Sequence, residues 1–538
     1  MKTNYGLSWR ALIIYFVLIL LLGALIGRIF FIQINDKEFL DSKGESLLYS
    51  NRPIVPLRGG ILDRNDFPLA LSINQYDLFA LRNFSHDEYI KLKKIVPIIK
   101  SFKSIIELNK KTLLFSKLDF SQYEQIKQLR IDSIEIETSQ KRYYPLGEQI
   151  APLVGFAGKE GTGLEGLEKA LDASLSGVAG SERLIQNASR KVIKRPILIT
   201  PAIKGESINL TIDSRIQFYT FKHLSRFIEA NNAKGGSAIV LDNHSGEILA
   251  MASYPSYNPN DPNRVIQRNR PLLDAFEPGS IIKPLVLAKA IDLGLISLEE
   301  SINTHPGFIS LNGEMISDSS NYQTLSYKEV IAKSSQVGVS KLALFLGIDG
   351  LIAGYKSFGL SKPPDLYFPN LAYGTINARP NISDHEIASL GFGYNMTASS
   401  LQLAQAYSVF ANKGYMKDFK LFMSIEDSEK YPVISSETAS DVLEALELVV
   451  TDGTGLLAKP SGYLVAGKTG TSHKTRLKGG YDKSKYISSF AGIAPLGSKR
   501  LTIFVSVDEP GLNNYSGGAV GAPLFAAIAK DILSYLDE

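Results

Sequence analysis

Ser280 and Lys283 stand three residues apart in the stretch EPGSIIKP, and no other S-x-x-K occurs in the chain. Pro278-Gly279 reads as a turn. The apolar period of IIKPLVLAKAIDLG predicts a helix that Ser280 opens and Gly294 closes. Pro284 falls in its first turn, where proline is tolerated. Side chains at i and i+3 share one helical face, so the serine and the lysine point the same way. A serine at a helix start keeps its own backbone N–H free to stabilise an oxyanion. A neutral lysine one turn away can take the serine proton, and burial beside a second cation lowers a lysine pKa. That is the chemistry of nucleophilic acyl transfer. Alone, the pattern equally describes a helix cap followed by a surface lysine. Two later stretches give it company, Ser334-Ser335-Gln336 and Lys468-Thr469-Gly470. Lys468 can supply the second cation.

The same Lys468 also completes a rival pattern. Gly462 to Thr469 fits the phosphate-cradling G-x-x-x-x-G-K-[ST], and Leu501 to Glu509 (LTIFVSVDE) resembles the strand that ends in a magnesium-holding Asp. The context argues against it. Tyr463-Leu464-Val465-Ala466 are strand residues where a loop is needed. After Thr471 comes a polar stretch broken at Gly479-Gly480, with no helical apolar period to face a phosphate. Nucleotide binding is therefore not expected, and Leu501 to Val507 reads as a buried sheet strand. A strand carrying Lys468 instead offers an open edge on which an extended peptide can pair. No G-x-S-x-G elbow or H-E-x-x-H zinc motif occurs, and the six histidines are scattered. The absence of cysteine excludes disulfides and zinc-thiolate sites. No metal or cofactor is expected.

Several elements must position these residues. SAIVLD (Ser237 to Asp242) and EILAMAS (Glu247 to Ser253) flank Asn-His-Ser-Gly and read as a hairpin. YLVAGKTG, YISSFAGIAP and LTIFVSVDE supply three more strands, and PLFAAIAKDILSYLDE a closing helix. Before the hairpin, Asp213 caps a helix that ends in Asn-Asn. Strands at both ends with helices between predict one antiparallel sheet built from the two ends of a domain that begins near Ile208. Upstream, Lys91 to Lys117 reads as solvated helices, and Gly161 to Gly177 as a glycine turn running into an amphipathic helix through Leu164, Leu167, Leu171 and Leu175.

The 538 residues are enough for two or three domains, and the 44% hydrophobic, 21% charged composition is that of a chain with real cores. A net charge of +4 from 58 basic and 54 acidic residues is too even for a nucleic-acid binder. Ala11 to Gly27 carries no charge, and IFFIQI continues it past Arg28 to Ile34. A spanning helix needs ~20 apolar residues, with an end arginine able to snorkel. No small-x-small cleavage site comes after it, so the segment reads as an uncleaved anchor. Lys2 and Arg10 precede it, which puts the N-terminus in the cytoplasm and everything after about residue 36 outside the inner membrane.

The order S-x-x-K, S-x-[NQ], K-T-G is that of penicillin-recognising serine enzymes. The chain resembles the class B penicillin-binding proteins, and among them the division-specific peptidoglycan D,D-transpeptidases. The resemblance runs over nearly the whole length. RGGILDRND (from Arg58), RYYPLG (from Arg142) and GTGLEGLE (from Gly161) carry it upstream. EPGSIIKP, KSSQVGVSKLAL, GFGYNMTASSLQLAQAYSVFANKG, VVTDGTG, VAGKTGTSHK and YISSFAGIAP carry it downstream. GGAVGAPLF is similar to the septal branch, and no glycosyltransferase domain precedes the rest, unlike the bifunctional class A.

The resemblance implies an α+β chain in three parts. These are a cytoplasmic tail and transmembrane anchor (1–35), a non-catalytic mixed α/β pedestal (36–205), and a penicillin-binding transpeptidase domain with a central antiparallel sheet packed by helices (206–538). It implies that Ser280 attacks the D-Ala-D-Ala carbonyl of one stem peptide, releases D-alanine, and is resolved by the amine of a neighbouring stem. Lys283 is then the general base and Ser334 a proton relay. Lys468, Thr469, Gly470 and Thr471 bind the substrate carboxylate and shape the strand edge, and the N–H groups of Ser280 and Thr471 form the oxyanion hole. β-Lactams acylate Ser280. The implied place is the division septum, with the catalytic domain periplasmic beside divisome membrane proteins that include the septal glycosyltransferase. Gln336 departs from the family's usual Asn by one methylene and keeps the amide. Asp66 sits where Gly is commoner. The rival readings are a D,D-carboxypeptidase or β-lactamase, in which water replaces the amine, and a mainly structural divisome scaffold.

Overall fold

The computed structural model describes residues 8–537 except 82–83, 109–110, 159, 188–191, 378, 380, 425–428, 477, 498–500 and 512–513. The chain divides into two compact units. The first comprises Met1–Leu57 and Gly177–Gly205. Its helix α1, Trp9–Ile34, has 26 residues and no buried side chain. At 1.5 Å per residue it spans ~39 Å, more than the ~30 Å of a bilayer core. An apolar surface exposed all round is what a lipid-facing helix presents. The same unit holds a three-stranded antiparallel sheet of Tyr49–Ile54, Gly180–Gln186 and Val192–Thr200.

The second unit comprises Arg58–Ser176 and Glu206–Glu538. Its upstream part differs from the sequence expectation at two places. Lys91 to Lys117 takes in the end of helix His86–Ile95 and all of helix Phe102–Leu108, but Thr112–Leu118 is a strand paired with Pro68–Ala80. Lysines at its two ends mask an inward set of Thr112, Leu114 and Leu118. The helix expected after Gly161 is two short pieces, Gly166–Ala170 and Asp172–Leu175, with Leu164 exposed on a strand before them. The break falls where the Asp172 carboxylate turns onto Arg58 Nη1 (2.6 Å) and Gly163 N (2.7 Å). Between them Glu168 is fully buried and held by Arg58 Nε (2.7 Å) and Arg142 Nε (2.6 Å). Three separate sequence motifs thus meet in one ion-paired knot. Removing one partner of such a buried pair typically costs about 3–5 kcal/mol.

The downstream part is the predicted sheet. Helix α2 (Ser214–Ala230) starts at Asp213, whose carboxylate accepts from Arg215 N and Ile216 N. Strands β1 (Gly235–Asp242) and β2 (Ile248–Tyr254) form the hairpin. Helices α3 (Lys283–Asp292), α4 (Tyr327–Ala332), α5 (Gln336–Ser357), α6 (Ser400–Ala411) and α7 (Ser436–Thr451) fill the middle. Strands β3 (Ala466–Thr475), β4 (Tyr481–Ala494) and β5 (Leu501–Asp508) and helix α8 (Gly521–Asp537) close the chain. The sheet order is β2-β1-β5-β4-β3, antiparallel throughout, with β3 at an edge. Both faces are covered, so the central strands carry unbroken apolar runs, such as Ala238 to Leu241 on β1 and Ile503 to Val505 on β5. Ala238, Val240, Val505 and Val507 face one core with α2 and α8. Ile239, Leu241 and Phe504 face the other, with α3, α5, α6 and α7. α5 is also long and apolar enough to cross a membrane, though less apolar than α1, but it is interrupted at Gly347 and its Val337, Val339, Leu342 and Leu351 are buried.

Candidate active site

Ser280 sits in a 3₁₀ turn, Gly279–Ile282, that runs into α3 at Lys283. The sequence predicts an α-helix from Ser280 onward, and Pro284 explains the difference. It has no N–H, so the Ser280 carbonyl lacks an i+4 donor and accepts from Lys283 N instead. Two glycines let this turn press against β3. Gly279 has φ +54°, and a Cβ there would stand 2.9 Å from the Thr471 carbonyl oxygen. A Cβ on Gly470 would stand 2.5 Å from Ile281 Cγ1. Tyr407 Oη donates to the Ile281 carbonyl (2.7 Å), and Gly279 N to the Gly393 carbonyl (3.2 Å). The Ser280 hydroxyl makes no hydrogen bond among the described residues and opens on a cleft of about 380 Å³.

Both lysines are fully buried and converge on Ser334. Lys283 Nζ donates to the Ser334 carbonyl (2.6 Å) and Oγ (3.2 Å). Lys468 Nζ donates to the same Oγ (3.0 Å), with the Thr469 carbonyl at 3.2 Å and Thr469 Oγ1 at 3.3 Å. Burial pulls Lys283 down to about 7, against the pull of the Asp318 carboxylate. Burial pulls Lys468 well below its ordinary value too, and the charge on Lys283 adds to this. Two ammonium groups cannot comfortably share one hydroxyl, so the unliganded pair favours a single proton, which Asp318 draws toward Lys283.

Ser334 reaches this place through an unusual backbone. It lies just beyond α4, where Ser335 N bonds the Val330 carbonyl (2.9 Å) and Ser334 N the Ile331 carbonyl (3.2 Å). That is a Schellman cap, whose left-handed residue is normally glycine. Here it is Ser334, at φ 59°. Such a conformation costs a non-glycine residue about 1–3 kcal/mol and persists where function holds it.

The strand side is ordered by hydroxyls. Thr471 Oγ1 accepts from Gly517 N (2.8 Å), so its own proton is left for the cleft. Thr469 Oγ1 lies 2.8 Å from Thr454 Oγ1. Ser280, Ser334, Gln336, Thr469 and Thr471 line one cleft, with the backbone of Gly470 between the two threonines on β3. Gln336 N donates to Asp318 Oδ1 (2.5 Å), and its amide has no partner among the described residues. Every residue singled out from sequence thus meets here. Sequence reasoning passes over Asp318, Tyr407 and Gly517. Tyr407 lies inside GFGYNMTASSLQLAQAYSVFANKG, and Gly517 opens GGAVGAPLF, but SDSSNYQ around Asp318 shows only turn formers.

The phosphate-loop pattern fails in space as in sequence, though for one reason rather than two. β3 begins only at Ala466, so Tyr463 to Val465 are not strand residues as expected. Beyond Lys468 the chain stays in strand to Thr475, so no helix N-terminus faces the lysine.

The chain is similar to known proteins over nearly its whole length. Residues 236–530 match the penicillin binding protein transpeptidase domain, and residues 53–210 the penicillin-binding protein dimerisation domain. Peptidoglycan D,D-transpeptidase FtsI of Escherichia coli K12 is 32% identical over 98% of this chain and 92% of its own length. The probable peptidoglycan D,D-transpeptidase PenA of Neisseria gonorrhoeae is 32% identical over 96% of this chain and 91% of its own. Penicillin-binding protein 3 of Mycobacterium tuberculosis superposes with a TM-score of 0.70 at 26% identity, covering 90% of this chain and 97% of that one. The TP domain of penicillin-binding protein 3 from Burkholderia pseudomallei gives 0.57 at 37% identity, over 61% of this chain and 96% of that one. The chain belongs to the penicillin-binding peptidoglycan D,D-transpeptidases, in their FtsI-like group.

Proposed function

We propose that this chain cross-links septal peptidoglycan, with Ser280 as the nucleophile. The observation that carries the reading is one hydroxyl, Ser334 Oγ, shared by two buried lysines in the cleft onto which Ser280 opens. A stem peptide pairs along the free edge of β3. Its terminal carboxylate meets the Thr469 and Thr471 hydroxyls and stabilises a proton on Lys468. That proton passes from Lys283 Nζ through Ser334 Oγ, and Lys283 becomes neutral. Lys283 then takes the Ser280 proton as Ser280 Oγ attacks the penultimate D-Ala carbonyl. The Ser280 and Thr471 N–H groups hold the oxyanion, and the proton leaves with D-alanine. In the second step the acceptor amine attacks the ester, its proton goes to Lys283, and Ser280 leaves as the hydroxyl. Hydrogen bonds to the unliganded nucleophile commonly form only in the complex, which fits the free Ser280 hydroxyl.

The relatives support the substrate. FtsI of Escherichia coli is named a peptidoglycan D,D-transpeptidase, and the M. tuberculosis protein is solved with aztreonam and with ampicillin. α1 then serves as a single membrane anchor after a cytoplasmic tail (1–35). Residues 36–205 serve as pedestal and 206–538 as the periplasmic transpeptidase domain, working at the septum beside divisome membrane proteins and a glycosyltransferase. The test is to supply the full chain in detergent with a D-Ala-D-Ala pentapeptide and an amine acceptor. Cross-linked product and free D-alanine in equal amounts support the reading. D-Alanine with only hydrolysed peptide makes it a carboxypeptidase, and no D-alanine overturns it.

A further inference from the structure

Ser334 is held in a conformation that its own residue type disfavours, and something must hold it. The next three residues are fastened by one carboxylate. Asp318 Oδ1 accepts from Gln336 N (2.5 Å) and Val337 N (3.0 Å), and Oδ2 accepts from Ser335 Oγ (2.7 Å). Ser335 Oγ in turn accepts from Gly338 N (2.9 Å) and caps α5. Asp318 is itself fixed, its N–H bonded to the Gly307 carbonyl (2.9 Å) after the short strand Glu314–Ser317. An acceptor with negative charge at a helix start is favoured by the free N–H groups there. We infer that Asp318 is a positioning residue for the reaction. Its carboxylate ties down the first turn of α5, and so keeps Ser334 turned with its carbonyl and hydroxyl on Lys283.

The same carboxylate also lines the reaction cleft. Its charge favours the protonated form of Lys283. Lys468 from β3 shares Ser334 Oγ with Lys283, and Tyr322 and Lys333 line the same cleft as Asp318, the Lys333 ammonium being paired with Asp452 (2.9 Å). Asp318 therefore does two things at once. It aims the relay, and it raises the pH at which the buried Lys283 becomes a base. A merely structural carboxylate would do neither.

The inference rests on Ser280 acylation, and the test separates the two. Second-order acylation by a fluorescent penicillin is measured across pH for the full chain in detergent, as wild type, Asp318→Asn and Asp318→Ala, with thermal melting alongside. Removing the partners that orient a reacting group commonly costs about 10–100-fold, and both variants are expected to slow by that much. Without the carboxylate Lys283 sheds its proton more easily, so the acid limb of the pH profile should move to lower pH in both. Asparagine keeps one acceptor oxygen and should be the faster of the two. Rates within about twofold of wild type, or slower rates with an unmoved acid limb, overturn the role. If the alanine variant does not fold, the asparagine variant decides. A wild type that takes up no penicillin refutes the acyl-transfer reading and this role with it, whereas normal uptake with unaltered variants refutes Asp318 alone.

Discussion

Lys283 and Lys468, from a helix and a strand far apart in the chain, meet on one oxygen, Ser334 Oγ, at 3.2 and 3.0 Å. Neither lysine is exposed. Burying two like charges together is costly unless one of them gives up its proton, and that is the condition under which a lysine becomes a base.

The first consequence is a pH profile. Burial leaves Lys283 at about 7, so β-lactam acylation of the full chain should rise with pH through that region and level off above it. The sign comes from the neutral form being the base. Lys283→Ala should lose ~10²–10⁴-fold in rate while remaining folded. Stopped-flow fluorescence with a chromogenic β-lactam measures both. A flat profile for wild type, or an unchanged rate in the folded mutant, would contradict the base.

Ser334 offers a test in which stability and rate part company. Both Ser334→Gly and Ser334→Ala lose the hydroxyl, but glycine accepts φ 59° without the Cβ penalty, so Ser334→Gly should be about 1 kcal/mol more stable than Ser334→Ala. Both should acylate roughly 10²-fold more slowly. Thermal melts and acylation rates on the same preparations check the pair. Equal stability of the two variants would show that the left-handed turn carries no strain.

Gly470 is predicted to be intolerant. A methyl group there would sit 2.5 Å from Ile281 Cγ1 and also strike Ser489 Oγ. Overpacking a filled core costs about 1–3 kcal/mol. Because Ile281 belongs to the turn that carries Ser280, Gly470→Ala should lower acylation beyond what its melting shift explains. Wild-type acylation in this mutant would mean that the strand and the turn are not coupled.

Gln336 presents an amide to the cleft with no partner among the described residues, so a substrate amide can take it. An unmet buried polar group costs about 1–3 kcal/mol. Gln336→Asn should keep acylation close to wild type, and Gln336→Leu, similar in bulk, should slow it by roughly tenfold or more. Second-order rates of the two purified proteins decide. A leucine variant as fast as wild type would reduce Gln336 to filling space.

Much of this is readable in the chain because it depends on local pattern. The sheet assembled from both ends comes from apolar strand runs, and the helix after Lys283 from its period and from Gly294 in the left-handed position beyond it. Ser280, Lys283, Ser334 and Lys468 are legible because their chemistry and order repeat a known set. Other features depend on what lies across the fold. The 3₁₀ turn at Ser280 is latent in Pro284, but a proline in a first turn is compatible with either helix type. Nothing local marks Asp318, since a carboxylate in a turn-rich loop shows its use only when α5 starts beside it. The left-handed Ser334 is equally hidden, because sequence propensity places glycine there. Thr112–Leu118 reads as helix because charged ends outweigh a short inward alternation until a partner strand is in place.

The central claim is that Ser280 is the nucleophile. The most direct measurement is intact-protein and peptide mass spectrometry of the full chain after exposure to a β-lactam. One drug mass should be gained, confined to the peptide that contains Ser280, and Ser280→Ala should gain none. Covalent label retained by folded Ser280→Ala, or found on another residue of the wild type, would contradict the account.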